Sequence, residues 1–208
     1  MSHIVKAGIF DLDFIATTKP EIRKAIKSLN TNPRASSVVF PNAHVVVESH
    51  WNPEFKQVLK NSTLIVPDGV PIAWLLHSLG QKNAERYSGP DLMMDLFAET
   101  QDKRHFFIGS TPEVLEKIKS KFKGNAAGFY SPPFTSSFSE EEKLKQLNMV
   151  NESQADYIWV GLGAPKQEKH VVEMASLKNS RGVWLAVGAA FDFYAGLKPR
   201  AMTPRPRT

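Results

Sequence analysis

The chain has 208 residues, 42% of them hydrophobic, which is enough for one domain with a sizeable core. It contains no cysteine, which excludes disulfides, thiolate metal sites and a cysteine nucleophile. The net charge of +5 comes from 26 basic and 21 acidic residues, but four of the basic residues and no acid lie in residues 198–208. Without those four, the chain has 22 basic and 21 acidic residues. Such a nearly balanced net charge argues against a nucleic-acid-binding protein.

Short apolar runs alternate with amphipathic stretches along the chain. The runs are β-branched or aromatic and are bounded by proline, glycine or aspartate, which predicts buried strands. In chain order, the sequence predicts a strand at 38–40, a helix at 43–60 broken near Pro53, a strand at 63–66, helices at 70–79 and 91–100, a strand at 105–108, helices at 112–122 and 139–150, a strand at 157–160, a helix at 166–176 and a strand at 183–187. This alternation predicts an α/β fold with a mostly parallel, Rossmann-like sheet flanked by helices.

Local signals indicate where several of these helices begin or end. Gly80 is a natural C-terminal cap for the second helix. Thr111 is placed to be an N-cap, because Pro112 follows it at the first helical position. Ser139 precedes three glutamates, which suits both a capping box and the helix dipole.

The ends of the chain bear on domain organisation and location. We expect residues 1–197 to form a single α/β domain and residues 198–208 to be a short, basic, disordered tail with three prolines. Asp11 and Asp13 lie where a signal peptide would need an apolar stretch. The longest apolar region, residues 182–197, is too short to span a bilayer and contains Asp192. A cytoplasmic protein is therefore expected.

Glycine-rich or polar segments follow the predicted strands. In parallel α/β sheets, ligands bind at the carboxyl ends of the strands, and free amides at a helix start suit phosphate. Each segment alone is a weak signal, since such turns occur in every α/β protein, and neither a dinucleotide fingerprint nor a Walker loop is complete. The segments are residues 41–44, 67–69, 109–111, 161–168 and 188–192.

Two charged residues in or near these segments have both a structural and a functional interpretation. Asp68 either caps the helix that follows or is a carboxylate at the ligand edge of the sheet. Arg86 is either a solvated loop cation or an anion clamp, since a fixed guanidinium matches phosphate oxygens in a fork. Ser88 and Gly89 precede a helix whose free amides could also face phosphate.

The stretch from Phe10 to Asp13 looks like the start of a haloacid-dehalogenase phosphatase, in which two aspartates carry the chemistry. The expected Gly-Thr continuation is missing, because Phe14 and Ile15 follow, and no late acidic pair is present to hold magnesium. An Asp-x-Asp metal site and a simple turn are the other interpretations, and the turn is favoured. The six histidines show no zinc spacing, so no metal site is predicted.

Taken together, several segments resemble the WecG/TagA/CpsF family of bacterial glycosyltransferases. They occur in the family's order and spacing over about residues 4 to 201, and the Gly-Ala-Pro-Lys-Gln-Glu and Gly-Ala-Ala-Phe-Asp stretches are the most specific. The matching residues are 41–43, 52–55, 67–71, 86–92, 131–134, 161–168 and 187–196.

The resemblance implies an inverting transferase that needs no metal or other cofactor. The donor would be a UDP-sugar, commonly UDP-N-acetylmannosamine or its uronic acid. The acceptor would be a sugar-pyrophosphoryl-polyprenol at the inner face of the cell membrane. The product would enter teichoic acid, enterobacterial common antigen or exopolysaccharide. A peripheral location at the membrane and a possible homo-oligomer follow from the same comparison.

The family pattern also implies roles for individual residues. Asp68 matches the proposed general base, and Arg86 is the candidate that stabilises the departing UDP, assisted by the Ser88 and Gly89 amides and Lys166. Asn42 and Gln167 match positions that orient the sugars. Asp192 would bind a donor hydroxyl or brace its loop, and Asp91 and Gly163 complete the expected substrate-binding set.

Two departures from the family pattern leave alternatives open. Phe40 stands where relatives often carry threonine, and residues after Ala201 differ from the Arg- and aromatic-rich segment that docks relatives on the membrane. Membrane binding is therefore expected to be weakened. The alternatives are a UDP-glucose-using exopolysaccharide transferase, an inactive or weakened nucleotide-sugar-binding protein of the same fold, and the phosphatase built on Asp11 and Asp13.

Overall fold

The computed structural model describes residues 5–199. Eight strands within this range form one sheet. They are β1 Lys6–Ile9, β2 Leu12–Ile15, β3 Ser36–Val39, β4 Leu64–Ile65, β5 Arg104–Gly109, β6 Asn125–Tyr130, β7 Tyr157–Gly161 and β8 Val183–Ala186. The helices are α1 Lys19–Leu29, α2 Ala43–Trp51, α3 Pro53–Lys60, α4 Val70–Ser78, α5 Gly89–Glu99, α6 Pro112–Lys121, α7 Glu140–Ser153, α8 Lys166–Ser176 and α9 Ala190–Ala195.

The strand order in the sheet is β1-β2-β4-β3-β8-β7-β5-β6. β1 runs antiparallel to β2, and every other neighbouring pair in the sheet is parallel. The predicted mostly parallel α/β sheet with flanking helices is thus confirmed. Because the parallel strands share one direction, their carboxyl ends meet along one edge of the sheet.

The predicted strands and helices are all present, and the break near Pro53 separates α2 from α3. Thr111 and Ser139 cap α6 and α7 by accepting hydrogen bonds from backbone amides, as expected for N-caps. Helix α5 begins at Gly89, two residues before the predicted start, because Ser88 is its N-cap. The structure also contains β1, β2, α1, β6 and α9, which were not predicted from the sequence.

The sheet is buried on both faces, which explains the continuous apolar runs of its central strands. In β7, Tyr157 and Trp159 belong to one hydrophobic cluster, whereas Ile158 and Val160 belong to another. Since alternate residues of a strand point to opposite faces, the two clusters lie on opposite sides of the sheet. The site is therefore carried by a rigid, doubly covered scaffold.

Two buried histidines are structural. Trp159 Nε1 donates to His105 Nδ1 at 3.0 Å, and His105 Nε2 lies 2.9 Å from the Thr100 carbonyl oxygen, so His105 is the neutral tautomer with its proton on Nε2. His170 Nε2 lies 2.8 Å from Oε1 of buried Gln146. Burial lowers the pKa of both histidines, that of His170 to about 3.

The described range ends at Pro199, so the predicted basic tail at 198–208 lies outside the described residues from residue 200 onward. Its first residue, Lys198, forms an ion pair with Asp192, with 2.6 Å between Nζ and Oδ2. None of the helices between residues 5 and 199 is long and apolar enough to cross a membrane.

Candidate active site

A cavity of about 470 Å³ opens at the carboxyl edge of the sheet, above its four central strands. The loops that follow β4, β3, β8 and β7 meet there with the start of α5. This is the position at which parallel α/β sheets bind ligands. The lining residues are Phe40, Asn42, Val45, Asp68, Arg86, Ser88, Gly89, Pro90, Gly163, Ala164, Gln167, Glu168, Ala186, Val187, Gly188, Ala189 and Phe193.

One backbone contact brings Asp68 and Arg86 to the same side of the cavity. The Tyr87 amide donates to the Pro67 carbonyl at 2.7 Å. Because Asp68 follows Pro67 and Arg86 precedes Tyr87, this bond brings the two charged residues together although 18 positions separate them in sequence. The buried Tyr87 hydroxyl donates to Asp95 and accepts from Arg23 Nη1 at 3.1 Å. This anchor explains how a loop without secondary structure can hold a charged side chain in place.

Asp68 has the electrostatic character of a proton acceptor near neutral pH. Burial raises the pKa of its carboxyl to about 6, and the nearby Arg86 charge and a backbone hydrogen bond from Gly69 oppose part of that rise. The N-cap of α4 is Gly69, and no side chain caps this helix. Asp68 therefore does not have the capping role that was its structural interpretation.

Arg86 is half-buried at the cavity. Throughout residues 5–199, no hydrogen bond or ion pair to a protein group holds its guanidinium. By contrast, Arg23 is held by ion pairs to Asp95 at 3.3 Å and Glu99 at 2.6 Å. The Arg86 guanidinium consequently keeps its donors for an anion bound in the cavity.

The start of α5 forms another part of the cavity. Ser88 caps the helix by accepting from the Asp91 amide, and its hydroxyl donates to Asp91 Oδ2 at 2.8 Å. Asp91 is thus placed behind Ser88 and does not itself line the cavity. A Cβ atom on Gly89 would lie 3.0 Å from the Val187 Cα and carbonyl oxygen, so this close approach of α5 to β8 requires glycine.

The loop after β7 is held by the side chain of Gln167. Its Oε1 accepts from the Gly163 amide at 3.1 Å, while its Nε2 donates to Glu168 Oε1 at 2.9 Å and to the Ala186 carbonyl at 3.4 Å. Gln167 therefore ties the end of β7 to the end of β8. Glu168 lines the cavity but was not among the predicted site residues, although it ends the segment that carries the strongest resemblance.

Asn42 and Phe40 line the cavity after β3. The Asn42 side chain caps α2, with its Oδ1 accepting from the Val45 amide at 3.1 Å. This bond occupies the side-chain oxygen and fixes the amide group at the rim. Phe40 is buried and adds an apolar surface beside it.

Two predicted site residues point elsewhere. Lys166 Nζ donates to the Thr135 carbonyl at 2.5 Å and lies 3.9 Å from the centre of the Phe138 ring. As the first residue of α8, it is directed toward the loop that precedes α7, not into the cavity. Asp192 is engaged by Lys198 and is also absent from the lining. The structure therefore brings neither residue to the cavity wall.

A comparison with protein families identifies the family of this chain. A family model described as "Glycosyl transferase WecG/TagA/CpsF family" matches residues 7–204, nearly the whole chain. The chain belongs to this family. It is accordingly a glycosyltransferase, and the expected resemblance and enzyme class are confirmed.

Two curated relatives of this glycosyltransferase are named N-acetylglucosaminyldiphosphoundecaprenol N-acetyl-β-D-mannosaminyltransferase. The protein from Bacillus spizizenii is 26% identical over 203 residues, which are 93% of this chain and 76% of the relative. The protein from Staphylococcus aureus strain NCTC 8325 is 26% identical over 206 residues, covering 96% and 80%.

The acidic Asp11 and Asp13 lie at the opposite end of the sheet from the glycosyltransferase cavity. Phe10 and Asp11 both have positive φ angles and form the tight turn between β1 and β2. Asp11 Oδ2 pairs with Lys56 Nζ at 3.2 Å. This is the turn favoured by the sequence, and no group of three or more potential metal ligands occurs within residues 5–199.

An apolar face extends from the rim of the cavity along α2 and α4. The N-caps of these helices are neighbours, since a Cβ atom on Gly69 would lie 4.0 Å from the Asn42 Cβ. The face consists of Val47, Trp51, Val70 and Trp74, and the two tryptophans are 79% and 70% exposed. Helix α4 contains no charged residue. Exposed tryptophans on such helices are typical of surfaces that meet a lipid interface.

Proposed function

We propose that this chain is an inverting glycosyltransferase that moves a hexosamine-type sugar from a UDP-sugar to a sugar-pyrophosphoryl-polyprenol. The sugar would be N-acetylmannosamine or a related hexosamine, and the product would enter cell-surface polysaccharide. Family membership supports the reaction class. The names of the relatives support the acceptor, because each contains N-acetylglucosaminyldiphosphoundecaprenol.

The observation that carries this proposal is the pairing of Asp68 with Arg86 in one cavity. A half-buried carboxyl whose pKa is raised to about 6 is mostly ionised at neutral pH, yet is basic enough to accept a proton. The Arg86 guanidinium, which makes no hydrogen bond or ion pair to a protein group within residues 5–199, lies close enough to influence that pKa. Together they provide a base for an incoming hydroxyl and a cation for a departing diphosphate.

The proposed step is a single in-line displacement. The acceptor hydroxyl oxygen attacks the anomeric carbon, and its proton passes to the Asp68 carboxylate. The bond between the anomeric carbon and the UDP oxygen breaks, and its electron pair stays on the diphosphate. One displacement inverts the anomeric centre and requires no protein nucleophile.

Negative charge that develops on UDP would be stabilised by Arg86 and by backbone amides at the cavity. Ser88 and Gly89 begin α5, and Gly163 and Ala164 lie just before α8, so the positive ends of two helices face this space. Preorganised donors of this kind are a major source of rate acceleration. We propose on this basis that the reaction runs without a metal ion.

Asn42 and Gln167 would then orient the sugars, as the family resemblance implies. Both line the cavity and both are fixed by hydrogen bonds to backbone groups. Fixed amides can distinguish the position of sugar hydroxyls, because a mismatched hydroxyl leaves a polar group without a partner.

The deciding experiment is a donor panel. Purified chain is incubated with a short-chain N-acetylglucosaminyl-pyrophosphoryl-polyprenol and, separately, UDP-N-acetylmannosamine, UDP-N-acetylglucosamine and UDP-glucose, and the products are identified by mass spectrometry. We expect transfer from UDP-N-acetylmannosamine. The Asp68→Asn variant should still bind UDP but should transfer from the same donor at a rate lower by roughly 100-fold or more. Preferred transfer from UDP-glucose would replace the proposed donor. UDP binding without transfer from any donor would favour a binding protein that has lost activity.

The acceptor carries a polyprenol, so we propose that the face formed by Val47, Trp51, Val70 and Trp74 meets the membrane surface that holds it. The test is sedimentation with vesicles containing anionic lipid. Trp51→Ser and Trp74→Ser should each reduce the bound fraction. The control is Leu144→Ser, which removes a 54% exposed apolar side chain from α7. Unchanged vesicle binding, together with dissociation of an oligomer in the tryptophan variants, would instead show that the face binds a second copy.

A further inference from the structure

Glu168 is a buried acid at the cavity for which the proposed reaction provides no role. Its side chain is 1% exposed, and its Oε2 atom has no hydrogen-bond partner within the described part of the chain. Burial raises the pKa of its carboxyl, and the charge of Glu48 on α2 acts in the same direction. Burial therefore disfavours the ionised form of Glu168.

Among the residues that the structure describes, Gln167 is the one side chain that forms a hydrogen bond with Glu168. Glu168 Oε1 accepts one amide hydrogen, which leaves Gln167 Oε1 facing the Gly163 amide. A Cβ atom on Gly188 would lie 3.2 Å from Gln167 Nε2, so this glycine allows the amide group to lie against the β8 loop. Glu168, as the nearer of the two acceptors that Gln167 Nε2 has, with the Ala186 carbonyl at 3.4 Å as the other, thus helps to define which end of the Gln167 amide faces Gly163.

The loop governed by this amide is open to a ligand. Gly163 is exposed, has a φ angle of +80° and has no atom within 4 Å of an added Cβ, and with Ala164 it lines the cavity just before α8. Backbone in this arrangement suits the phosphate groups of a nucleotide. A flipped Gln167 amide would place its nitrogen against the Gly163 amide, and two donors would then repel each other.

We infer that Glu168 is a positioning residue which, through Gln167, holds the Gly163–Ala164 loop in the shape that binds the diphosphate of the donor. The inference rests on the proposed function and adds to it a residue whose contribution is orientation. An unpartnered buried oxygen lowers stability. A residue kept at such a cost for function should therefore be replaceable by an apolar one with a loss of activity but no loss of stability.

The test uses two replacements of similar shape. Glu168→Gln retains an oxygen that accepts from Gln167, and we expect its donor KM and UDP dissociation constant to stay within about threefold of the parent. Glu168→Leu removes the acceptor, and we expect a rise of about tenfold or more in both constants, with a smaller change in kcat. Its melting temperature should equal or exceed that of the parent.

A matched control and a double variant separate positioning from packing. Gln146→Leu changes a buried polar residue that does not line the cavity, so it should lower the melting temperature and leave the UDP dissociation constant unchanged. If Glu168 acts through its neighbour, adding Glu168→Leu to Gln167→Leu should weaken UDP binding no further.

The outcomes distinguish the inference from the proposed function. Unchanged UDP binding in Glu168→Leu, equal losses in the Gln and Leu variants, or additive losses in the double variant would each overturn the role assigned to Glu168. A parent chain that transfers no sugar would overturn the proposed reaction. The UDP titrations would still decide the role of Glu168 in that case.

Discussion

The dependence of activity on pH tests the role of Asp68 most directly. The carboxyl has a pKa of about 6, and a general base must be ionised, so kcat/KM should rise as pH increases through about 6 and then level off. About one Asp68 in ten is ionised at pH 5 and nearly all at about pH 7.5, which predicts an approximately tenfold fall in kcat/KM between these values. An aspartate at its ordinary pKa of 3.8 would lose less than about one tenth over the same range.

Two neighbouring charges should shift the acid limb, which is the rise of kcat/KM through about pH 6, in opposite directions. Arg86 lowers the pKa of Asp68, so Arg86→Gln should shift the limb to higher pH, apart from its effect on the maximal rate. Asp91 raises the pKa, so Asp91→Asn should shift the limb to lower pH. Asp68→Asn should lower turnover by roughly 100-fold or more and leave no limb in this range.

The assay measures initial rates at low donor concentration, because kcat/KM reports the pKa of the free enzyme. Ionic strength is held constant, and melting temperatures at each pH verify that the protein is folded. A parent profile that is flat from about pH 5 to 7.5, or near-normal turnover by Asp68→Asn, would refute the assignment of Asp68 as the base.

Three further predictions concern other parts of the chain. Arg86→Ala should weaken UDP binding about tenfold or more by titration calorimetry, and EDTA should leave the parent rate unchanged; a parent inhibited by EDTA would show that a metal ion carries the charge stabilisation. Gly89→Ala should cost about 1 kcal/mol or more of unfolding free energy in urea, because its Cβ would press on the Val187 backbone, and an unchanged midpoint would contradict this close approach. His170 has a folded pKa of about 3, below its ordinary value of 6.5, so it lowers stability as pH falls below about 6.5; we expect it to cost about 2 kcal/mol at pH 5, and the stability of His170→Gln should fall less steeply.

Several elements were missed because their local signals are weak or irregular. β6 is an edge strand in which Gly128 separates two alanines from Phe129 and Tyr130, so it shows no continuous apolar run. β1 and β2 are four residues each, and their turn uses positive φ angles at Phe10 and Asp11 without a glycine signal. α1 does carry a local signal in the sequence, the capping box of Thr18 and Glu21 at its start.

The local pattern of the sequence was sufficient for the sheet class, most of its helices and the edge at which the site lies. Buried strands on a doubly covered sheet must be apolar throughout, and N-caps such as Thr111 and Ser139 act within one helical turn, so both can be recognised from neighbouring residues. The glycine- and proline-containing segments after the strands likewise indicated the ligand edge.

Which of the predicted side chains reach the cavity, and what surrounds them there, was decided by tertiary structure. The pairing of Asp68 with Arg86 depends on one backbone hydrogen bond between Tyr87 and Pro67, and the raised pKa of Asp68 depends on burial by distant segments. Lys166 shows the opposite case, since it lies within a site motif but its side chain is directed toward Thr135 and Phe138. Sequence spacing constrains neighbours along an element, whereas side-chain direction and desolvation arise only when the elements pack together.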